Sequence, residues 1–144
     1  MLIDRKRIGE LIPHSGSMCL LAAAAAWNDE RIECTATSHR DPANPLRRGG
    51  QLAAVCALEY AAQAMALHGA LTVNKGRHAG GGLLASARDL ALHRPRLDDC
   101  GPVLTIEARR MLGEASRVIY EFKVSDATEV IAEGRAAVVL DVGV

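Results

Sequence analysis

The strongest pattern along the chain is a run over residues 52–71 in which Ala, Leu, Val and Met occupy nearly every side and no proline intervenes. A segment that is apolar all round and this long is a buried helix. Ahead of it, residues 4–12 read as a short helix. Asp4 is its cap, Ile8, Leu11 and Ile12 form one stripe, and Pro13 is its stop. The loop His14-Ser15-Gly16-Ser17 follows, and then an Ala-rich stretch over 18–27. Alanine alone allows a helix there. Asn28-Asp29 makes a turn, however, and residues 31–38 alternate polar and apolar, so two strands joined by a tight turn are the more consistent reading. Residues 39–50, with two prolines and Asn44, form a loop.

Beyond the long helix, the polar, glycine-rich stretch 74–82 is a flexible connection. The remainder alternates with a period of two. Strands are predicted over 83–92, 103–112, 117–124 and 130–142, with a turn region over 95–102. Hairpin turns are expected at Gly113-Glu114 and at Ser125-Asp126. One apolar helix followed by an antiparallel meander is an α+β arrangement in which the sheet wraps the helix. Such a sheet keeps an open edge, which dimerisation by strand pairing would close. The 144 residues are expected to form one domain over 1–144.

Composition narrows the function classes. Apolar residues make up 49% of the chain but aromatics only 3%, so the core is built from Ala, Leu, Val and Ile. Basic and acidic residues number 17 each, and this balance gives no support to nucleic acid as a partner. No apolar run is long enough for a membrane span, and the opening Asp4-Arg5-Lys6-Arg7 is unlike a signal peptide, so a cytoplasmic protein is expected. Cys19, Cys34, Cys56 and Cys100 are far apart with no paired spacing, which reads as free thiols and no metal site.

Glu59 stands out because it lies within the apolar helix, with Gln63 four residues on. Two polar side chains there mark either a site or a solvated edge. Burial would raise the pKa of Glu59 and suit it to proton transfer. His39 ends a predicted strand just before the loop into that helix, as a candidate base or an incidental loop histidine. Gly49 and Gly50 are read at the helix N-terminus, where their amides either stabilise an oxyanion or serve only as a flexible entry. His14 lines a pocket or braces its loop. His68, near the helix end, is explained by the helix dipole. No role attaches to His78 or His93. Arg47 and Arg48 flank the expected pocket, placed either for a phosphopantetheine phosphate or acidic carrier, or as solvated surface.

The order of these motifs resembles the bacterial 3-hydroxyacyl-(acyl-carrier-protein) dehydratases of the FabA/FabZ type. Leu11-Ile12-Pro13-His14 resembles their LPH opening, Glu59-Tyr60-Ala61-Ala62-Gln63-Ala64 their E-A-M-A-Q-A helix, and Ser38-His39 through Gly49 their histidine loop. The histidine loop departs from the family in having Arg40-Asp41-Pro42 after His39, and Gly49 stands about one helical turn farther from Glu59. More narrowly, Asn44-Pro45-Leu46-Arg47 with residues 59–66 is similar to the ApeP-like branch, associated with aryl polyene pathways.

The resemblance implies a hotdog fold, an antiparallel sheet wrapped around one long central helix. It implies dehydration of 3-hydroxyacyl thioesters to 2-enoyl thioesters, in fatty-acid or aryl polyene type biosynthesis. His39 and Glu59 would be catalytic, from different subunits of a dimer, and Gly49, Gly50, Gln63 and His14 would bind substrate; His14 is the next candidate for the histidine. The implied partners are acyl carrier protein, whose phosphopantetheine bears the substrate, and a second hotdog subunit in a homodimer or heterodimer. No other cofactor is implied. A hotdog thioesterase and a non-catalytic dehydratase subunit remain as alternatives.

Overall fold

The computed structural model describes residues 2–12, 16–72, 82–113 and 117–140. Its centre is α2 (Ala57–Thr72), a helix about 24 Å long. Small side chains dominate it, and Ala57, Ala61, Ala64, Ala66, Gly69 and Ala70 are all buried, so strands approach it closely. Tyr60, Met65 and Leu67 supply its bulk and are fully buried.

Among the described residues, seven strands enclose this helix. They are β1 (Ile3–Asp4), β2 (Ala23–Trp27), β3 (Arg31–Ala36), β4 (Gly82–Leu92), β5 (Leu104–Gly113), β6 (Arg117–Ser125) and β7 (Val130–Leu140). Their spatial order is β1-β2-β3-β5-β6-β7-β4, and every neighbouring pair is antiparallel. The helix packs on β3 through β7. Alternation sorts the two faces: in β6, Val118, Tyr120, Phe122 and Val124 point into the core, while Arg117, Glu121 and Lys123 point out. The short helix α1 (Arg5–Leu11) is capped by Asp4, whose carboxylate accepts from the Arg7 amide at 2.9 Å. It buries Ile8 and Leu11 as its stripe predicts.

Among the boundaries that differ from the sequence reading, three have a visible cause. The strand expected over 18–27 begins at Ala23, because Gly16–Met18 forms a single 3-10 turn and the next residues run as a strap tied to other elements. The α-helix begins at Ala57 rather than residue 52. Its expected first residues are bonded elsewhere: Leu52 N–H donates to Asp98 Oδ1 at 2.8 Å, Leu97 N–H to Leu52 O at 2.7 Å, and Ala54 N–H to Pro95 O at 3.1 Å. A 3-10 turn over Ala54–Cys56 then leads into α2. The loop 39–50 also contains local order, beginning with a 3-10 turn over Ser38–Arg40. The turn at Asp126 closes as expected, with its carboxylate accepting from the amides of Thr128 and Glu129. The expected connection over 74–81 and the turn residue Glu114 lie outside the described residues.

Candidate active site

Strand β3 delivers the chain to His39, which is fully buried. Its Nε2 lies 2.6 Å from the carbonyl oxygen of Gly101. A carbonyl only accepts, so Nε2 carries the hydrogen and Nδ1 holds a lone pair. Nδ1 is buried and has no partner among the described residues. Burial lowers the pKa of the imidazole, the Gly101 carbonyl opposes this, and the charges of Arg40 and Arg47 lower it again, with Asp126 acting the other way. The ring is therefore a neutral base at pH 7.

Arg47 braces the segment from behind. One Nη donates to the His39 carbonyl at 3.2 Å and the other to the Gly50 carbonyl at 2.9 Å. A second network links the histidine turn to α2. The Asn44 side-chain amide donates to Ser38 O at 2.9 Å and to the Tyr60 hydroxyl at 3.2 Å. Tyr60 meets Ser38 Oγ at 2.8 Å, and Ser38 Oγ donates to Leu20 O at 2.8 Å. Since Ser38 spends its hydrogen on Leu20, Tyr60 is the donor to Ser38. Burial raises the pKa of the Tyr60 phenol, which stays protonated.

Gln63 belongs to the same scaffold. Its Oε1 accepts from Leu20 N–H at 2.9 Å and its Nε2 donates to Met18 O at 2.6 Å. Both ends of the amide are committed and the side chain is buried, so the expected substrate contact is corrected to a latch between α2 and the strap before β2. The i to i+4 spacing put Gln63 and Glu59 near one face. The strap covers only Gln63, and Glu59 is exposed in the first turn of α2.

Of the two readings left open for Glu59, the single chain shows the solvated one, and no hydrogen bond or ion pair joins it to His39. Cys56 lies one turn earlier; burial, then the Glu59 charge, raises its thiol pKa, and Arg48 opposes. Gly49 and Gly50 are not at the helix N-terminus. They form an exposed turn with φ of 59° and 77°, closed by reciprocal bonds between Arg48 and Gln51, well before Ala57. Positive φ is what makes glycine suited there. Ala53, which precedes the 3-10 turn, offers no side-chain cap. Beside it, a cleft of about 490 Å³ is lined by Ala53, Val55, Leu92, His93 and Pro95 among others. His14 lies outside the described residues.

Sequence reasoning also missed His68. The helix dipole does not account for it; it is a fully buried ring. Nε2 meets Asn28 O at 2.8 Å and Nδ1 meets the Tyr120 hydroxyl at 2.7 Å, so Nε2 donates and Nδ1 accepts. The apolar surroundings of residue 68 were the available signal. All four cysteines are free, and burial pushes the Cys34 thiol up to about 12. Among the described residues, no group of His, Cys, Asp and Glu is placed to hold a metal, and no helix is long and apolar enough to cross a membrane.

Several solved structures share this architecture. A chain of the dehydratase heterocomplex ApeI:P from Xenorhabdus doucetiae superposes with a TM-score of 0.82 at 24% identity, over 92% of this chain and 90% of that one. Thioesterase HI1161 from Haemophilus influenzae gives 0.60 at 13% identity over 85% and 79%. The PaaI protein of the phenylacetic acid degradation operon of E. coli gives 0.55 at 16% over 81% and 80%. At these identities the likeness establishes the hotdog fold. No curated protein matches the sequence. The family model for the ApeP dehydratases matches residues 6–141, nearly the whole chain, and the chain belongs to this ApeP-like dehydratase family.

Proposed function

We propose that the chain forms half of a shared active centre that dehydrates 3-hydroxyacyl thioesters, delivered on acyl carrier protein, to 2-enoyl thioesters. The observation that carries this reading is the unpaired lone pair on buried, neutral His39. Nδ1 takes the C2 proton, the C2–H electrons become the C2–C3 double bond, and the C3–O bond breaks. The acidic side chain of a second hotdog subunit, Glu59 where that subunit is another copy of this chain, gives its proton to the departing hydroxyl, and water leaves. A proton passing from the imidazolium to the carboxylate resets the pair. In the single chain Glu59 faces solvent; a subunit packed over the start of α2 would cover it. The enolate-like oxygen is stabilised at the start of the 3-10 turn, where Ala53 supplies no competing side-chain cap.

Dimerisation is supported by β4, an edge strand carrying exposed Leu90 and Leu92. Homodimer and heterodimer both satisfy it. The four free thiols fit a cytoplasmic setting.

Following enoyl absorbance beside a free-thiol assay tests the chemistry. Enoyl signal without thiol release is expected. Thiol release without enoyl signal means a thioesterase and contradicts the reading. One feature favours a second reading, that of a supporting subunit: His39 has no exposed surface in this chain. Under that reading, Glu59→Gln leaves the activity of a complex with a sister hotdog subunit unchanged.

A further inference from the structure

We propose that Asp126 is a positioning residue for His39, acting through the backbone of Gly101. This rests on the reading of His39 as the base, and it adds what aims the ring.

The 3-10 turn over Ser38–Arg40 sets the backbone of His39, and Arg47 holds its carbonyl. Neither contact touches the ring. The ring is tied by Nε2, which donates to Gly101 O at 2.6 Å. That bond selects the tautomer and decides where the Nδ1 lone pair points. The Gly101 carbonyl therefore has to be held in place. Gly101 lies in the connection between β4 and β5, and glycine is the residue with the most backbone freedom. Two neighbours restrict it. Pro102 follows it and favours an extended backbone. Its own N–H donates to Asp126 Oδ2 at 3.1 Å. The two segments are in direct contact, since a Cβ built on Gly101 would meet the Asp126 side chain at 3.4 Å.

The two oxygens of Asp126 have separate tasks. Oδ1 accepts from the amides of Thr128 and Glu129 at 2.9 and 3.0 Å and from the Thr128 hydroxyl at 3.0 Å, which closes the turn between β6 and β7. Oδ2 takes no part in those bonds and reaches across to Gly101. For the turn alone, Asn would serve as well, because its carbonyl accepts the same bonds. Asn would set an NH2 group against the Gly101 N–H, donor against donor. The second oxygen is what points beyond the turn. The Gly101 amide, then that of Thr128, hold the Asp126 carboxyl well below the usual carboxylate range, so it stays charged while the ring titrates. Burial lowers the pKa of His39; the Gly101 carbonyl raises it, the charges of Arg40 and Arg47 lower it, and that of Asp126 raises it. Both raising groups belong to this one relay, so loosening it leaves a weaker base that is also poorly aimed.

The test uses the full chain with any hotdog subunit that co-purifies. Ring-nitrogen resonances give the tautomer and titration of His39, assigned by their loss in His39→Gln. Enoyl absorbance from a small 3-hydroxyacyl pantetheine thioester gives kcat and KM. In Asp126→Asn, which keeps the turn's bonds to Oδ1, His39 is expected to titrate at lower pH. The same variant should lower kcat about tenfold or more with KM within about twofold. The acid limb of kcat/KM moves to lower pH with the ring. Asp126→Glu, which keeps the charge, should lie closer to the wild type in both readouts. Asp99→Asn takes the same charge from the loop before Gly101, but its carboxylate is spent on Arg94 and Arg96, and it should change neither. A fall in kcat with the titration of His39 unmoved overturns the proposal, because a loosened turn alone gives that result. An unchanged kcat in Asp126→Asn overturns it too and leaves the dehydratase reading intact. If the ring's titration follows Asp126 but the wild type forms no enoyl thioester, the relay to His39 stands and the dehydratase reading fails.

Discussion

Glu59 and Gln63 sit one helical turn apart and have opposite fates. Gln63 spends its whole amide on Leu20 and Met18, so Gln63→Ala strands a buried N–H and a carbonyl. We expect a loss of about 2 kcal/mol or more in urea unfolding. Glu59 is exposed, and Glu59→Gln is expected to change the stability of the isolated chain by less than about 0.5 kcal/mol. His68 makes stability depend on pH. Burial lowers its folded pKa below the ordinary 6.5; the bond to Asn28 opposes this, the charge of Arg110 adds to it, and that of Asp29 opposes it. As pH falls through the unfolded value the unfolded chain gains a proton that the folded chain refuses. The stabilisation is thus complete above that value and shrinks as pH drops below it, until the folded ring also protonates. His39, lowered likewise by burial, acts in the same sense. Melting temperature should fall between pH 7.5 and 5, and His68→Gln should flatten that fall without abolishing it. A slope unchanged by the substitution would contradict this account.

At the level of elements, the start of α2 depends on a loop far along the chain. Asp98 accepts from Leu52 N–H and forms an ion pair with Arg96, which holds its carboxyl well below the usual carboxylate range. Asp98→Ala should cost about 1–3 kcal/mol in unfolding free energy and loosen the entry to α2, which hydrogen exchange at Leu52 would report. The same loop shows which features were legible in the sequence. The body of α2 was readable because its Ala and Leu run is a local signal, and β5 and β6 because their alternation is local. The beginning of α2 was not, since the groups that draw Leu52 and Ala54 away from the helix are Pro95, Leu97 and Asp98. Likewise the motif around Glu59 and Gln63 marked the right helix, but the latch role of Gln63 required knowing that residues 18–20 pack on it. His39 was placed in its loop, whereas its burial depends on Gly101, which is remote in sequence.

For the whole molecule, over its described residues, the sheet wraps the long helix α2 and leaves β4 as an edge, with Glu59 uncovered at the start of α2. Both features are accounted for by a second subunit. Its arrival would desolvate the carboxylate, complete the apolar cleft beside Val55 and Leu92, and bring a proton donor to the imidazole. The most direct measurement of this is the initial rate of enoyl thioester formation by the chain, with any hotdog subunit that co-purifies, compared with Glu59→Gln and His39→Gln; the latter side chain can still donate to Gly101. The account predicts that each substitution lowers the rate by about 10²–10⁴-fold while the assembly keeps its mass. Full activity in both variants would contradict it.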